Sequence, residues 1–352
     1  MSPETMKVAV MTGTRQVEIR EIAKPVPRAG EILVKIKACA LCTLEQRTYT
    51  GVDKMAVTRY PWVGGHEYSG VIESIAEGTN TNLKVGDHVV VGASSCGQCL
   101  PCRIGETTKC ENLALQRGAP YEGLTGAWGL SGYRAATVDR IYKVASDLPF
   151  EEAALSEPTA CVVHAHRKLG LKMSEDVLVI GSGTMGLLNM MVAKAAGARV
   201  FVSDIDSVRA QKALTLGAQA ILNPKEVDVG EEVRKLTDGR GADVVIVAIG
   251  SGAANKQAVQ AMAPLGRMML FASAHPAEDL CVDPNFVHRQ QVTITGSMSG
   301  DVQAFVVATR LLSAGILNVK PLIETTIPLA NIKDALELAS RAERTYRVVV
   351  TM

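Results

Sequence analysis

The sequence predicts an α/β protein of two domains, one built from small antiparallel strands and the other around a doubly wound parallel sheet. Its 352 residues exceed the length that a single hydrophobic core usually supports. Up to about Lys143, short apolar runs separated by glycine-rich turns indicate small antiparallel strands, at Ile32–Ile36, Val71–Ile75 and His88–Val91. From Asp176 onward, apolar runs alternate with helical stretches, which is typical of a parallel sheet flanked by helices.

The second half contains five candidate strands for the parallel sheet. They are Val177–Ile180, Arg199–Ser203, Val244–Val247, Met268–Phe271 and Val292–Thr295. Gly197 and Gly217 stand where a left-handed residue ends a helix, and Ser207 is predicted to cap the helix that runs to Leu216. After Gly296 the pattern predicts an amphipathic helix and a closing strand, and the pattern alone assigns neither to one half. These two elements are Ile332–Arg344 and Tyr346–Val350.

Composition excludes several classes of function. Hydrophobic residues make up 47% and charged residues 21% of the chain, and 37 basic residues balance 36 acidic ones, so neither a nucleic-acid partner nor an anionic membrane is expected. The start, Met1–Lys7, lacks the pattern of an export signal, and apolar stretches such as Asp243–Gly250 are too short to span a membrane. We therefore expect a cytoplasmic protein whose cysteine thiols stay reduced.

Four cysteines form the strongest motif of the sequence. Cys96, Cys99, Cys102 and Cys110 lie within fifteen residues, interleaved with glycine and proline. A loop with this spacing can fold back and present four thiolates tetrahedrally to zinc. Four thiolates leave no open coordination position, so the pattern predicts a structural zinc site that takes no part in the chemistry.

A glycine-rich motif predicts binding of a dinucleotide. Gly181-Ser182-Gly183-Thr184-Met185-Gly186 follows the apolar strand and opens a helix, which is the context that gives this motif its meaning. Gly181 permits a tight turn, Gly183 lets the backbone approach the pyrophosphate, and Gly186 allows close packing of helix on strand.

Asp204, at the end of the next strand, indicates the identity of that dinucleotide. Asp204 follows the glycine-rich motif by about 20 residues in the sequence. This is the usual spacing of a carboxylate that accepts hydrogen bonds from the adenosine ribose. The carboxylate would repel a 2′-phosphate, so NAD is favoured over NADP. Arg209 leaves an alternative open, because its guanidinium can either pair with a phosphate or stack on the adenine.

A second set of residues can bind a metal, and the order of motifs along the chain indicates that they do so together. That order is Cys42, Gly65-His66-Glu67, Val85-Gly86-Asp87, the four-cysteine loop, Glu157-Pro158 and the glycine-rich motif. Over essentially the whole chain, this succession resembles the zinc-containing medium-chain alcohol dehydrogenases, particularly their sorbitol and threonine dehydrogenase branch.

The resemblance implies a domain organisation and two zinc ions per subunit. A GroES-like catalytic domain would comprise residues 1–157 and 296–352, and a Rossmann NAD-binding domain residues 158–295. Cys42 and His66 would hold the catalytic zinc, with Glu67 as ligand or near neighbour and Glu157 binding directly or through water. The resemblance also implies a homodimer or homotetramer that pairs through the strand around Val292–Thr295.

The proton relay departs from the family pattern. Members of the family usually follow the zinc cysteine with a serine or threonine two positions on, an acid three on and a histidine five on. This chain reads Cys42-Thr43-Leu44-Glu45-Gln46-Arg47. Leu44 cannot relay a proton, and Arg47 stays protonated, so neither can act as the general base.

Two explanations of this departure stay open. In one, the proton passes through Thr43, Glu45, Glu67 or Glu157. In the other, Arg47 contacts a substrate anion or a cofactor phosphate. The alternative to any function of Arg47 is a solvated surface charge or a salt bridge to neighbours near Glu45.

The motifs and the family resemblance together predict an NAD-dependent zinc dehydrogenase. Its small-molecule substrate is a secondary alcohol of a sugar, polyol or hydroxy acid, interconverted with the ketone. Oxidation of an amino alcohol, as in threonine dehydrogenases, is an alternative within the same branch. Two further alternatives are a zinc-independent reductase of the same superfamily and a non-catalytic protein that binds a dinucleotide.

Overall fold

A computed structural model describes residues 4–52, 60–93, 95–112, 121–274, 276–341 and 345–352. The chain divides into two compact units, one formed by Met1–Ala160 with Gly300–Met352 and the other by Cys161–Ser299. We call them the discontinuous unit and the continuous unit. The sequence predicts boundaries after residue 157 and before residue 296, and the two compact units divide after residue 160 and before residue 300.

The discontinuous unit contains two sheets. One has four strands in the order β2-β1-β4-β7, and the other has the order β16-β17-β3-β5-β6-β9, with β8 also paired to β3. The strands from the first part of the chain are β1 Thr5–Gly13, β2 Gln16–Ala23, β3 Glu31–Ala40, β4 Trp62–Val63, β5 Glu67–Ile75, β6 His88–Val91, β7 Thr125–Gly126, β8 Tyr133–Thr137 and β9 Ile141–Lys143. The strands from the last part are β16 Ile323–Pro328 and β17 Arg347–Thr351.

Short helices complete the discontinuous unit. They are α1 Thr43–Thr50, α2 Leu100–Arg103, α3 Phe150–Ala153, α10 Val302–Ser313 and α11 Ile332–Ala339, and α4 Ser156–Leu169 begins in this unit. Most of β3 is buried, and its Val34 and Ile36 belong to a core that also contains Leu336 of α11 and Val348 of β17. The amphipathic helix predicted over Ile332–Arg344 ends earlier, at Ala339, and Arg344 lies outside the described residues.

The continuous unit is the predicted doubly wound α/β fold. Its six strands are all parallel, in the order β12-β11-β10-β13-β14-β15, and the order reverses between β10 and β13. The strands are β10 Asp176–Ile180, β11 Arg199–Ser203, β12 Ala220–Leu222, β13 Ala242–Val247, β14 Met262–Leu270 and β15 Thr293–Gly296. The helices wholly within it are α5 Thr184–Ala195, α6 Ser207–Thr215, α7 Val229–Leu236, α8 Gly252–Ala261 and α9 Pro284–Gln290.

The helix ends in this unit follow the sequence with one correction. Gly197 and Gly217 have φ values of 85° and 95°, which L side chains rarely adopt, as expected for residues that end a helix. The prediction that Ser207 caps α6 is wrong. The cap is Asp206, whose carboxylate accepts from the backbone N–H groups of Val208 and Arg209, a role for which aspartate is at least as well suited as serine.

Among the described residues, no helix combines the length and the apolar character needed to cross a membrane.

One buried histidine makes the stability of the continuous unit depend on pH. The Nε2 atom of His166 lies 3.0 Å from Oδ1 of Asn189, and the amide of Asn189 donates at 2.8 Å to the carbonyl of Met185. This leaves Asn189 Oδ1 to accept from a neutral imidazole. Burial lowers the pKa of His166 to about 4, against the smaller opposing effect of Asn189.

We expect this histidine to destabilise the fold at acid pH. Because its pKa is lower in the folded than in the unfolded state, stability is complete above about pH 6.5 and falls as the pH drops toward 4, by up to about 3 kcal/mol. The melting temperature of His166→Gln should therefore depend less on pH in this window than that of the wild type. His288→Gln, which removes an exposed histidine, should keep the wild-type slope. An unchanged slope in His166→Gln would contradict the assignment.

Candidate active site and metal centres

A thiol, an imidazole and a carboxylate meet at one edge of the larger sheet. Strands β3 and β5 are antiparallel, with Ala40 opposite Glu67. Cys42 just after β3 and His66 just before β5 are therefore brought to the same edge. The ligand atoms of Cys42, His66 and Glu67 lie within 4.8 Å of one another, close enough to hold a single metal ion.

The turn that presents His66 requires glycine. Gly65 has a φ of 89°, and a Cβ atom there would lie 2.7 Å from both the sulfur of Cys39 and the backbone nitrogen of Leu130. Backbone N–H groups of Gly129 and Leu130 donate to the carbonyls of Gly65 and Gly64. The segment before His66 is thus pinned on both sides, which fixes the position of the imidazole.

Glu45 contacts two of the three candidate ligands, Cys42 and His66. Its fully buried carboxylate accepts from the backbone N–H of Cys42 and of Gly65, each at 3.0 Å, and lies 3.0 Å from Nδ1 of His66. Burial raises the pKa of Glu45, but the opposing charge and hydrogen bond of His66, aided by both amides, bring that pKa below its ordinary value. A carboxylate on Nδ1 directs Nε2 of His66 toward a metal, as is common for metal-bound histidines.

Glu67 and Arg347 form a buried ion pair beside these ligands. The Nη2 atom of Arg347 lies 2.7 Å from Oε1 of Glu67, and both side chains are almost completely buried. Burial raises the pKa of Glu67 to about 7 despite the attraction of Arg347, and the charge of Glu157 adds to the rise. Sequence analysis missed Arg347. In the sequence, Arg347 could have been noticed as the single charged residue at the start of an otherwise apolar strand.

The remaining candidates lie around this cluster. Glu157, in the first turn of α4, is not one of the three clustered ligands, but its charge acts on both members of the buried ion pair. On α1, Thr43 is exposed, Leu44 packs against the core and Arg47 is half-buried. The Glu45 carboxylate is engaged by three groups, which suits positioning better than proton transfer.

The three clustered residues fit a zinc ion. Oε2 of Glu67 is buried without a hydrogen bond in the described part of the chain, which is costly unless another group satisfies it. A thiolate, an imidazole and this oxygen match the donor set of catalytic zinc and leave a coordination position open.

The four cysteines of the loop also lie close enough together to hold one metal ion. Their sulfur atoms lie within 4.8 Å of one another, with 3.3 Å between Cys99 and Cys102. The side chain of Asn112 donates to the sulfur of Cys96 at 3.3 Å. This bond, with the amides of Cys99 and Gln98, lowers the pKa of the Cys96 thiol to about 5. A thiolate at neutral pH in a closed set of four sulfurs fits structural zinc.

Loss of one sulfur should remove this zinc and weaken the fold. Cys110 is buried, so we expect Cys110→Ser to bind one zinc ion per chain where the wild type binds two, and to melt several degrees lower. Metal analysis and thermal unfolding test this. Cys281→Ser, at an exposed cysteine outside both clusters, should retain two zinc ions, and retention of both by Cys110→Ser would disprove the assignment.

The glycine-rich motif has the geometry expected of a dinucleotide loop. Gly181 has a φ of 95°, and a Cβ on Gly186 would lie 1.7 Å from the carbonyl oxygen of Gly181, whereas one on Gly183 would meet nothing within 4 Å. Helix α5 starts at Thr184, followed by Met185, so its first N–H groups face the loop.

Asp204 makes hydrogen bonds to this loop. Its Oδ2 atom accepts from the backbone and the hydroxyl of Ser182, both at 2.6 Å, and its Oδ1 atom accepts from the backbone of Asp206 at 2.8 Å. The acidic end of β11 is thereby fixed against the phosphate-binding turn. Arg209 lies half-buried on α6 of the same unit.

A catalytic-type metal cluster, a closed four-cysteine centre and a dinucleotide fold together define a class of zinc-containing, nucleotide-dependent oxidoreductases. Two family models match the chain, the alcohol dehydrogenase GroES-like domain over residues 28–146 and the zinc-binding dehydrogenase domain over residues 184–314. The chain therefore belongs to the zinc-containing medium-chain alcohol dehydrogenases, as its sequence predicts.

Individual relatives agree with this family. The sorbitol dehydrogenase of Bacillus subtilis is 28% identical over 96% of this chain and 94% of its own length. The L-threonine 3-dehydrogenase of Pyrococcus horikoshii is 32% identical over 94% of each chain. The structure of an alcohol dehydrogenase from E. coli CFT073 complexed with NADH superposes with a TM-score of 0.86 at 27% identity, covering 99% of each chain. The protein is thus a zinc-dependent oxidoreductase that uses a nicotinamide cofactor.

Proposed function

We propose that the protein transfers hydride between a secondary alcohol of a polyol, sugar or hydroxy acid and NAD. The observation that carries this proposal is the cluster of Cys42, His66 and Glu67, in which one buried carboxylate oxygen has no hydrogen-bond partner among the described residues. Relatives named sorbitol dehydrogenase and D-xylulose reductase support a polyhydroxylated substrate.

We assign a separate role to each residue of the site. Cys42 and His66 would hold the zinc, which would polarise the alcohol oxygen and lower the pKa of its hydroxyl. Glu45 keeps the imidazole in the tautomer that binds metal, since it accepts at Nδ1. Arg347 balances the charge of Glu67, so the cluster avoids an uncompensated buried carboxylate.

The proton of the alcohol requires a route other than the family relay. Leu44 is occupied by core packing, and Glu45 is occupied by its three partners. The exposed hydroxyl of Thr43, or the carboxylates of Glu67 and Glu157, can carry the proton. We propose that Arg47, at the position of the family histidine, contacts an anionic group of the substrate or a cofactor phosphate. An Arg47→His variant with the wild-type pH profile and substrate ranking would contradict this role.

Asp204 should set the preference for NAD over NADP. A 2′-phosphate placed against this carboxylate would be repelled, and like charges in contact cost several kcal/mol. We expect Asp204→Ser to shift the ratio of kcat/KM for NAD and NADP toward NADP by roughly tenfold or more. Asp206→Ser, which alters the neighbouring cap, serves as the matched control. A wild-type ratio in Asp204→Ser would show that discrimination lies elsewhere.

A second candidate is oxidation of an amino alcohol. It is favoured by the relatives named L-threonine 3-dehydrogenase, at 32% identity. A screen of NAD and NADP reduction over polyols, sugar acids and amino alcohols, with zinc measured on the same sample, separates the two. Turnover of threonine-like substrates alone would replace the first proposal. Cofactor binding without turnover would indicate a non-catalytic protein, and activity without zinc would indicate a zinc-independent reductase.

We further propose a cytoplasmic homodimer or homotetramer. Strand β15 is the edge of the six-stranded sheet, and edge strands offer backbone groups for pairing with a second chain. Light scattering at micromolar concentration tests the assembly, and a monomer there would disprove it.

Cell fractionation tests the location, and recovery outside the cytoplasm would disprove it.

A further inference from the structure

A charged groove lies at the amino-terminal edge of the parallel sheet of the continuous unit. Its volume is about 550 Å³, and its lining includes Ser174, Asp176, Lys194, Arg199, Gly217 and Arg240. These residues lie at or just before the first residues of β10 to β13, or at the ends of the helices that lead into them. The glycine-rich loop follows the carboxyl end of β10, so the groove is at the opposite edge from the dinucleotide motif.

Positive charge dominates the lining. Arg199 donates from Nε and Nη2 to the two oxygens of Asp176, at 2.5 and 2.9 Å, and Arg240 donates to the same carboxylate at 3.1 Å. The side chain of Asp176 is only 3% exposed, whereas those of Arg199 and Arg240 are 45% and 57% exposed. One buried carboxylate therefore holds two guanidinium groups whose outer faces remain accessible to solvent.

Arg199 and Lys194 have N–H donors that make no hydrogen bond among the described contacts. In the described contacts, Nη1 of Arg199 makes no hydrogen bond, and the ammonium of Lys194 donates only to the carbonyl of Leu216, at 3.0 Å. An ammonium has three N–H donors and a guanidinium has five. Arg240 also reaches Asp243 at 3.2 Å. Three cations and one anion, Asp176, line the groove, whereas Asp243 and Asp238 act on Arg199 from outside the lining.

These cations are held in place before any ligand arrives. The guanidinium of Arg199 lies 5.4 Å from the ring centre of Phe201, so it is anchored by a buried ring as well as by Asp176. The ammonium of Lys194 lies where a Cβ of residue 217 would be, at 1.9 Å. Gly217 therefore ends its helix with a left-handed residue and also leaves space for a charge in the groove.

We propose that this groove binds a small phosphate-bearing anion, outside the cofactor site. A phosphate group supplies two negative charges and several acceptor oxygens, which match the excess charge and the unused donors of Lys194 and Arg199. The volume is within the range of small-molecule sites, roughly 300 to 1,000 Å³. A metal cation would be repelled by the same lining.

Inorganic pyrophosphate is a suitable probe, added to zinc-loaded enzyme that is saturated with NADH so that the dinucleotide loop is already occupied. Isothermal titration calorimetry should detect binding at about 1 mM or tighter. Lys194→Met removes a cation but leaves the contacts of Arg199 and Arg240 with Asp176 intact, and it should weaken binding roughly tenfold, as expected for a lost charge-assisted hydrogen bond. Lys235→Met, at an exposed lysine on α7, should bind pyrophosphate like the wild type.

Three results would overturn the proposal. They are the absence of binding in the NADH-saturated enzyme, equal affinity of the wild type and a Lys194→Met variant that still binds NADH, and citrate binding as tightly as pyrophosphate. The last result would show a general anion surface without preference for phosphate. Because NADH binding is measured on the same samples, a misfolded variant is recognised, and Arg240→Gln then serves as the second variant with the same expected loss.

Discussion

Replacing His66 with asparagine should lower kcat/KM for alcohol oxidation by about 10³-fold or more, because a metal that polarises the reacting oxygen contributes several kcal/mol to the transition state. His66 lies among the three clustered ligands and is the residue that Glu45 orients. Zinc content should fall from two ions per chain to one. Steady-state kinetics and metal analysis on the same sample measure both effects.

Two further measurements distinguish chemistry from folding. NADH binding should be unchanged in His66→Asn, since the dinucleotide loop belongs to the continuous unit. His288→Asn, at an exposed histidine of that unit, should retain both zinc ions and wild-type kinetics. Glu45→Gln should show the intermediate result, with zinc affinity about 10- to 100-fold weaker, as for other residues that orient a metal-bound histidine. Wild-type kcat/KM in His66→Asn would instead support a zinc-independent reductase.

Arg347→Met should destabilise the protein by about 3 to 5 kcal/mol, the usual cost of leaving a buried charge without its partner. The ion pair of Arg347 with Glu67 is almost completely buried. Without the guanidinium, Glu67 must either remain charged in an apolar environment or take up a proton. Equilibrium unfolding in urea, with zinc removed from both proteins, measures the change, because a zinc ion bound beside Glu67 would itself balance the carboxylate.

A double variant tests the cause of this loss. Adding Glu67→Gln to Arg347→Met removes the orphaned charge, so the double variant should recover part of the stability that the single variant loses. Arg310→Met removes an exposed arginine of the same unit and should change stability by about 0.5 kcal/mol or less. If Arg347→Met cost no more than Arg310→Met, the ion pair would have no structural importance.

The sequence predicted what depends on local spacing. The four cysteines, the glycine-rich motif and the parallel strands are each encoded within a short segment, so their chemistry is visible without the fold. The prediction of Ser207 as helix cap was wrong because the neighbouring Asp206 is at least as good a cap, and the backbone geometry decides which residue takes that position. The helix predicted to run to Arg344 ends at Ala339, and Ser340 is its C-cap.

What the sequence could not predict depends on contacts between distant segments. Arg347 is 280 residues from Glu67, and only the pairing of β17 with β3 brings it to the metal cluster. Glu45 was a candidate for proton transfer because its position in the family motif carries an acid. That its carboxylate points inward, to Gly65 and His66, follows from the approach of β5 to β3, which the local pattern does not reveal.

The pairing of β17 with β3 also sets an order of events during synthesis on the ribosome. Cys42, His66 and Glu67 are all translated early, whereas the counter-ion of Glu67 appears 280 residues later. The continuous unit, residues 161–299, is complete well before that point and can fold first. A nascent chain therefore carries Cys42, His66 and Glu67 for most of its synthesis without Arg347, and the ion pair can form only after β17 has been made.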